Sequence, residues 1–336
     1  MVLGNPQMVR WGVLGTGRII GKAGTALKQS RNGVWLGVAG RQEESGRLAA
    51  ERYDVPRAYA TYGELLADPE IDAVYIALLN HLHYEWAIKA CEAGKHVLVE
   101  KPFALNASEA RQMAEAAQKH GVLLKEARVW LHYDGIAEIR KLLSDGTIGE
   151  WIHGRGHYSF IPDVASSRWN ASWGGGALYD IGCYLVSWAG YFTGEEPEAA
   201  EAGAWLHPVH GVDSRFVGTL YFPQGKTVQI ETFFDVAQGA YFELLGTQGK
   251  LRVDFRATTE VLEVVCTLNG GTPRVWPMNR IEPFKRQAES FAEAVLNARA
   301  GETRPAIAEA LGYTLQQARV MDALLEAAER KCRVVV

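Results

Sequence analysis

Residues 9–21 read Val-Arg-Trp-Gly-Val-Leu-Gly-Thr-Gly-Arg-Ile-Ile-Gly. The apolar run Val9 to Leu14 ends in Gly15-Thr16-Gly17, and the residues from Arg18 to Gln29 carry helical spacing, so the segment reads as strand, tight turn, helix. Two glycines in such a turn let backbone N–H groups approach a pyrophosphate set over the start of the helix. Ile20 stands where a third small residue belongs in that fingerprint, with Gly21 next. Gly15, Thr16, Gly17, Arg18 and Ile19 are therefore the candidate dinucleotide-binding residues, and an ordinary strand-to-helix turn is the alternative.

The same grammar continues downstream. Apolar runs at Val34 to Ala39, Ala73 to Ala77, Val97 to Val99 and Val122 to Leu124 are separated by helical stretches at Glu43 to Tyr53, His83 to Ala93 and Ser108 to His120. Strands that are apolar throughout, joined by helices, predict a parallel sheet covered on both faces, a doubly wound α/β domain over residues 1–127. Beyond Ala127 the pattern changes to a helix at Asp134 to Ser144 and then period-2 runs such as Ser214 to Phe222, Thr227 to Phe233 and Tyr241 to Leu245. Residues 128–336 thus read as an α+β domain with a largely antiparallel sheet, closed by helices Pro283 to Arg299 and Pro305 to Glu329.

Composition narrows the function classes. With 336 residues, 48% hydrophobic and 22% charged, the chain is a folded protein of about two domains. A net charge of -4 provides no field for a polyanion, so neither nucleic acid nor an acidic membrane is an expected partner. The four cysteines, Cys91, Cys183, Cys266 and Cys332, form no Cys-x-x-Cys pair, which argues against a zinc knot or disulfide framework and for a reducing cytoplasm. No run reaches the ~20 apolar residues of a membrane span, and Met1 to Arg10 has no apolar leader.

Chemistry-bearing residues then fall at strand ends. The second strand closes with Gly40-Arg41 rather than an acid. A guanidinium there pairs with a 2′-phosphate, which favours NADP over NAD, although Arg41 could be a solvated cation and Glu43 or Glu44 could reach a ribose. Glu100-Lys101-Pro102 follows the strand Val97 to Val99, at the carboxyl edge where open α/β sheets bind ligands. Asp180 and Tyr184 are four apart on an expected helix, on one face. Arg168, Trp169, His157 and Trp130 offer aromatic faces and donors suited to carbohydrate C–H surfaces and hydroxyls, with a Trp-rich core as the alternative. His153 and His157 are not completed into a ligand set by any Cys or carboxylate spacing, so no metal site is expected.

With these motifs in hand the chain resembles the glucose-fructose oxidoreductase and inositol dehydrogenase (Gfo/Idh/MocA) family over nearly its whole length. The resemblance is carried by GVLGTGRI at 12–19, YIALLNHLHYEWA at 75–87, AGKHVLVEKPFALN at 93–106, GGGALYDIGCY at 174–184 and GTQGKL at 246–251. It implies a Rossmann domain holding NADP or NAD, with Asn80, His83, Glu100 and Lys101 added to the cofactor site, and a second domain whose open sheet meets a neighbouring subunit in a homodimer or homotetramer. It also implies a catalytic lysine at Lys101 and an acid-base region from Asp180 to Tyr184, where tyrosine replaces the histidine of most members and points to the sugar oxidoreductase and dihydrodiol dehydrogenase branch. Glu126 to Asp134 departs from that branch's usual motif, so substrate identity does not carry over.

The expectation is an NAD(P)-dependent oxidoreductase moving hydride between the nicotinamide and a carbinol carbon of a sugar, polyol or related cyclic alcohol. Tyr184 would exchange the hydroxyl proton, Lys101 would lower its pKa, and Asp180 would order the lysine or bind substrate. The rivals are an NAD-dependent glycoside hydrolase of the same fold and a nonenzymatic NADP-binding regulator.

Overall fold

The structure, a computed structural model, describes residues 8–255, 261–279, 281–300 and 305–336. Residues 1–7, part of the stretch read above for a leader, lie outside them. Two compact units make up the chain: Met1–His132 with Glu282–Leu315, and Tyr133–Ile281 with Gln316–Val336.

In the first unit, strands β1 (Val9–Leu14), β2 (Gly33–Ala39), β3 (Arg57–Tyr59), β4 (Ala73–Ile76), β5 (His96–Val99) and β6 (Leu124–Glu126) form a 6-stranded sheet in the order β3-β2-β1-β4-β5-β6. Every pairing is parallel, so this is the expected doubly wound sheet. The short β3 has too little apolar sequence to show a pattern. β1 and β4 leave the middle of the sheet in opposite directions of strand order, which puts the loops after them at the switch point where such sheets take ligands.

Val9, Trp11, Val13 and Leu14 are fully buried because helices cover both faces of β1. The helix Ile20–Gln29 buries Ile20, Ala23, Gly24, Ala26 and Leu27 on one side. Ile20 occupies the third fingerprint position, and close helix-to-sheet packing has moved one turn on: a Cβ on Gly24 would lie 2.4 Å from the Trp35 ring. The helix Pro283–Arg299 also belongs to this unit, through Ala288, Phe291, Ala292 and Val295. Phe291 sits 5.4 Å from Trp11 between ring centroids. Nothing local in 283–299 identifies the partner of its apolar face, and only the tertiary structure does so.

The second unit is built on a 9-stranded sheet of β7 (Trp151–Ser159), β8 (Ala199–Leu206), β9 (Asp213–Tyr221), β10 (Thr227–Phe233), β11 (Gly239–Gly246), β12 (Gly249–Asp254), β13 (Val261–Leu268), β14 (Arg274–Asn279) and β15 (Val334–Val335). The order is β14-β13-β12-β11-β7-β10-β9-β8-β15, antiparallel except for β7 beside β10. Along β10, Val228, Ile230 and Thr232 are buried while Gln229 is exposed and Glu231 half-buried, the period-2 signature of a sheet covered on one face. The helix Cys183–Thr193 supplies that cover, with Trp188 and Phe192 set against Tyr158 and Phe242. The opposite face presents Arg155, His157, Glu231 and Tyr241.

Candidate active site

The turn after β1 has the geometry that a dinucleotide needs. Gly15 adopts φ +105°, and a Cβ there would fall 2.4 Å from the Ala77 carbonyl oxygen, so only glycine lets β1 and β4 pass so closely. A Cβ on the exposed Gly17 meets nothing within 4 Å: its backbone faces open space, as a pyrophosphate cradle must. Thr16 and Ile19 are half-buried and Arg18 is exposed on the same turn. These residues fit a bound dinucleotide phosphate.

At the end of β2, a Cβ on Gly40 would strike Ser45 Oγ at 2.1 Å, so the chain turns tightly into the helix Glu43–Tyr53 and leaves Arg41 exposed. Of the nearby acids, Glu44 is engaged by Arg47 at 2.7 Å. The exposed cation and the engagement of Glu44 by Arg47 fit a 2′-phosphate better than a bare ribose diol.

Lys101, half-buried, lies in a loop held by buried polar groups on both sides. Glu100 accepts from the Tyr75 hydroxyl and from the Lys101 N–H at 3.2 Å; burial raises its pKa against the pull of these donors and of the Lys101 charge. His83 is fully buried, Nδ1 2.8 Å from the Pro102 carbonyl and Nε2 3.2 Å from the Leu78 carbonyl. Burial pushes its pKa down to about 4, so the ring is uncharged near neutrality. Glu126 accepts from the Phe103 N–H at 3.1 Å and from Arg128 Nε at 2.7 Å, and Arg128 donates onward to Thr314 Oγ1 at 2.7 Å. Tyr75, Glu126 and Thr314 were not singled out from the sequence as functional, because each acts from a different strand or helix.

His83 and Glu100 therefore tie the Lys101 loop to its surroundings, the neutral imidazole donating its one N–H to one of the two carbonyls it faces. Asn80 opens the short turn Asn80–Leu82 and is half-buried. Trp130 is 2% exposed, packed within the first unit, which leaves its ring face no surface to offer a sugar.

In the second unit three of the residues named from sequence come together. Arg168 Nε donates to Asp180 Oδ2 at 2.5 Å. Burial works against the Arg168 charge, but Asp180 first, then Tyr184 and Tyr158, reverse the effect and hold its pKa above the ordinary value. Tyr184 is half-buried, its ring 5.6 Å from Tyr158 and 6.0 Å from Trp188. The helix carrying them opens with a π-helical turn, Leu178–Gly182, before the α-helix Cys183–Thr193, a feature common at functional sites. Asp213, unnoticed in the sequence, accepts the Leu178 N–H at 2.7 Å at the head of this helix, and burial pushes its pKa up to about 7.

The triple glycine serves this arrangement. A Cβ on Gly175 would sit 2.4 Å from the Arg168 carbonyl oxygen, and one on Gly176, at φ +117°, would sit 2.0 Å from Asp213 Oδ1. Two turns and a carboxylate thus close on one backbone stretch.

His157 is not brought to the cluster. Neighbouring strand residues point to opposite faces, and Tyr158 stacks on Trp188 of the covering helix, so His157 faces the other way. There it lies 3.0 Å from Glu231, 2.8 Å from Ser159 Oγ, and stacks on Tyr241. Trp169 joins instead through its neighbour Arg168, its indole donating to the Asp163 carbonyl at 3.1 Å. Among the described residues no group of three His, Cys, Asp or Glu side chains is placed to hold a metal.

Comparison with known proteins gives the same reading. Residues 9–127 match the model of an oxidoreductase family with an NAD-binding Rossmann fold, and residues 136–252 match the GFO/IDH/MocA C-terminal domain. An uncharacterized oxidoreductase of Rhizobium meliloti is 34% identical over 96% of this chain and 98% of its own. A D-xylose 1-dehydrogenase (NADP(+)) of Haloferax volcanii is 31% identical over 95% and 97%. A 3-ketoreductase of Actinomadura kijaniata, solved with NADP and TDP-benzene, superposes with a TM-score of 0.87 at 28% identity over 95% of this chain and 98% of that one. With a glycine turn open to a dinucleotide in one unit and an Arg-Asp-Tyr cluster under a nine-stranded sheet in the other, the chain belongs to the Gfo/Idh/MocA family of oxidoreductases.

Proposed function

We propose that this protein is an NADP-preferring dehydrogenase or reductase acting on a CH–OH carbon of a sugar, polyol or related cyclic alcohol, in the branch that carries tyrosine as its acid-base residue. The observation that carries the reading is the Arg168–Asp180 pair beside Tyr184, a charged, partly solvated phenol site in a family of nicotinamide enzymes. The relatives named above, a D-xylose dehydrogenase and a 3-ketoreductase among them, support sugar-like substrates.

NADP, when bound, accepts or supplies the hydride. The chain's own residues do the rest. Gly15 to Ile19 bind the pyrophosphate, Arg41 selects the 2′-phosphate, and Asn80 adds to the site. Tyr184 holds and moves the proton at its phenolic oxygen. A phenol with pKa ~10 is a poor base at neutral pH, so a cation must stabilise the phenolate. Lys101 is the catalytic lysine that the family resemblance implies, and Asp180 with Arg168 orients the substrate. His83 and Glu100 fix the Lys101 backbone.

The free cysteines Cys91, Cys183, Cys266 and Cys332 suit a reducing cytoplasm. No described helix is long and apolar enough to cross a membrane. The face bearing Arg155, His157 and Tyr241 is the surface on which we place a second copy of the chain, as a homodimer or homotetramer. Light scattering behind size exclusion tests this, a monomer at micromolar concentration being the contrary result.

The function itself is tested by following cofactor absorbance with aldoses, inositols, ketosugars and diols, using NADP(H) and NAD(H). Stoichiometric reduction or oxidation is expected with at least one of these classes. Release of sugar from a glycoside without net cofactor change, or cofactor binding without turnover, is the result that replaces this reading.

A further inference from the structure

Arg168 and Trp169 are adjacent in the chain but belong to different clusters. Arg168 reaches Asp180, while the Trp169 ring packs with two histidines from the loop between β8 and β9: His210 stacks on it at 5.1 Å and His207 lies at 5.0 Å. The two imidazoles are 4.7 Å apart. The indole is fixed from behind, edge-on to Phe234 at 5.3 Å and tied through Nε1 to the Asp163 carbonyl. This is a rigid aromatic wall continuing directly from the acid-phenol cluster.

The histidine chemistry is directional. His207 Nδ1 lies 3.3 Å from the Val209 nitrogen and accepts from its N–H, which leaves Nε2 as the donor of the neutral ring. His210 makes no side-chain hydrogen bond among the described residues, so its ring nitrogens are open to a ligand. Both side chains are half-exposed, and Val209, which lies between them in the chain, is 79% exposed, an apolar edge. Arg168, the cation next to Trp169 in the chain, is matched by Asp180. Donors, acceptors and apolar edges without an unmatched positive charge suit hydroxyls and C–H faces, and do not suit a phosphoryl group.

The geometry points to a second sugar subsite: His207, His210 and Trp169 hold an uncharged second ring of the substrate, so the preferred substrate is a glycoside or disaccharide rather than a free monosaccharide or a sugar nucleotide. The inference rests on the oxidoreductase reading for its reaction but on the second unit alone for its binding.

The test uses the NADP-loaded full chain, wild type and His207→Ala/His210→Ala, with D-glucose and D-xylose against cellobiose and xylobiose. The KM for the disaccharide is expected to rise about tenfold in the double variant with kcat unchanged, while constants for the monosaccharide move less than twofold. Calorimetric titration of cellobiose and xylobiose, which needs no turnover, is expected to show the same tenfold loss. Equal losses for one-ring and two-ring sugars, or wild-type binding no tighter for either disaccharide than for its monosaccharide, overturns the subsite. If the disaccharide binds through the histidines yet no sugar changes the cofactor absorbance, the subsite stands and the oxidoreductase reading falls. Thermal melts of both proteins separate loss of the subsite from loss of the fold, and His207→Asn/His210→Asn, which keeps a donor and an acceptor on each side chain, should recover part of the affinity.

Discussion

Arg168 Nε and Asp180 Oδ2 meet at 2.5 Å, twelve positions apart in sequence and on opposite sides of the triple glycine. Asp180 is 9% exposed, so removal of the guanidinium takes a charged partner from a largely buried carboxylate. Arg168→Ala is expected to lower kcat/KM by about 10- to 100-fold, the worth of a charged hydrogen bond of roughly 1.5–3 kcal/mol. Arg168→Lys should recover only part, because a point charge cannot reproduce the Nε contact. Arg168→Ala combined with Asp180→Asn should be little worse than the single change, since one variant has already broken the pair. Steady-state kinetics on the best substrate read all three, and near-normal rates for Arg168→Ala would remove the pair from catalysis.

Tyr184→Phe deletes one oxygen and leaves the packing against Tyr158 and Trp188 in place. Turnover is expected to fall by about 10²–10⁴ with NADP affinity unchanged, the usual contribution of a placed acid-base group. Lys101→Ala should be at least as damaging, as the loss of the catalytic lysine that the family resemblance implies. Persistence of normal turnover in Tyr184→Phe would move the proton path to another group. The orientation of His157 toward Glu231 makes Asp180 the first to examine.

Arg41 is exposed at the end of β2, next to a glycine that tolerates no side chain. Arg41→Ala is expected to raise the Kd for NADP about tenfold or more and that for NAD less than threefold, as loss of a charge-assisted phosphate contact requires. Cofactor titration by fluorescence measures both. Equal losses would show that Arg41 does not read the phosphate.

Asp213 couples the helix of Asp180 to pH in an unusual direction. Its folded pKa is raised to about 7 by burial, above the ordinary carboxylate value, so the folded chain holds this proton longer than the unfolded chain does. The stability it contributes is complete below about pH 4 and is lost as pH rises toward 7. Asp213→Asn keeps an acceptor for the Leu178 N–H but cannot titrate. Melting curves from pH 4.5 to 7.5 should therefore show the variant gaining on wild type as pH rises, by on the order of a few kcal/mol. A constant difference across that range would mean that the group does not titrate there.

What the sequence disclosed and what it hid follow from range. Gly15 to Gly17, the Lys101 loop and the triple glycine are contiguous stretches, so their turns could be read directly, and Arg168, Asp180 and Tyr184 lie within one such stretch. His157 could not be assigned because strand parity decides its face, and the parity is set by which side the Cys183–Thr193 helix covers. The burial of His83 depends on carbonyls at Leu78 and Pro102, in the separate loops after β4 and β5. Asp213 reaches Leu178 across 35 positions, and no periodicity marks such a cap.

The helix Pro283–Arg299 gives Trp11 its neighbour Phe291 and completes the core beneath the parallel sheet. Synthesis runs from the N-terminus, so the first strands leave the ribosome long before this helix exists. Until it emerges, the apolar surface around Trp11 and Tyr75 has no permanent cover and offers itself to chaperones or to other nascent chains. A cofactor half excised after Ala127 would carry that exposed surface indefinitely. Grafting the nucleotide half onto another protein therefore demands that the 283–299 segment travel with it.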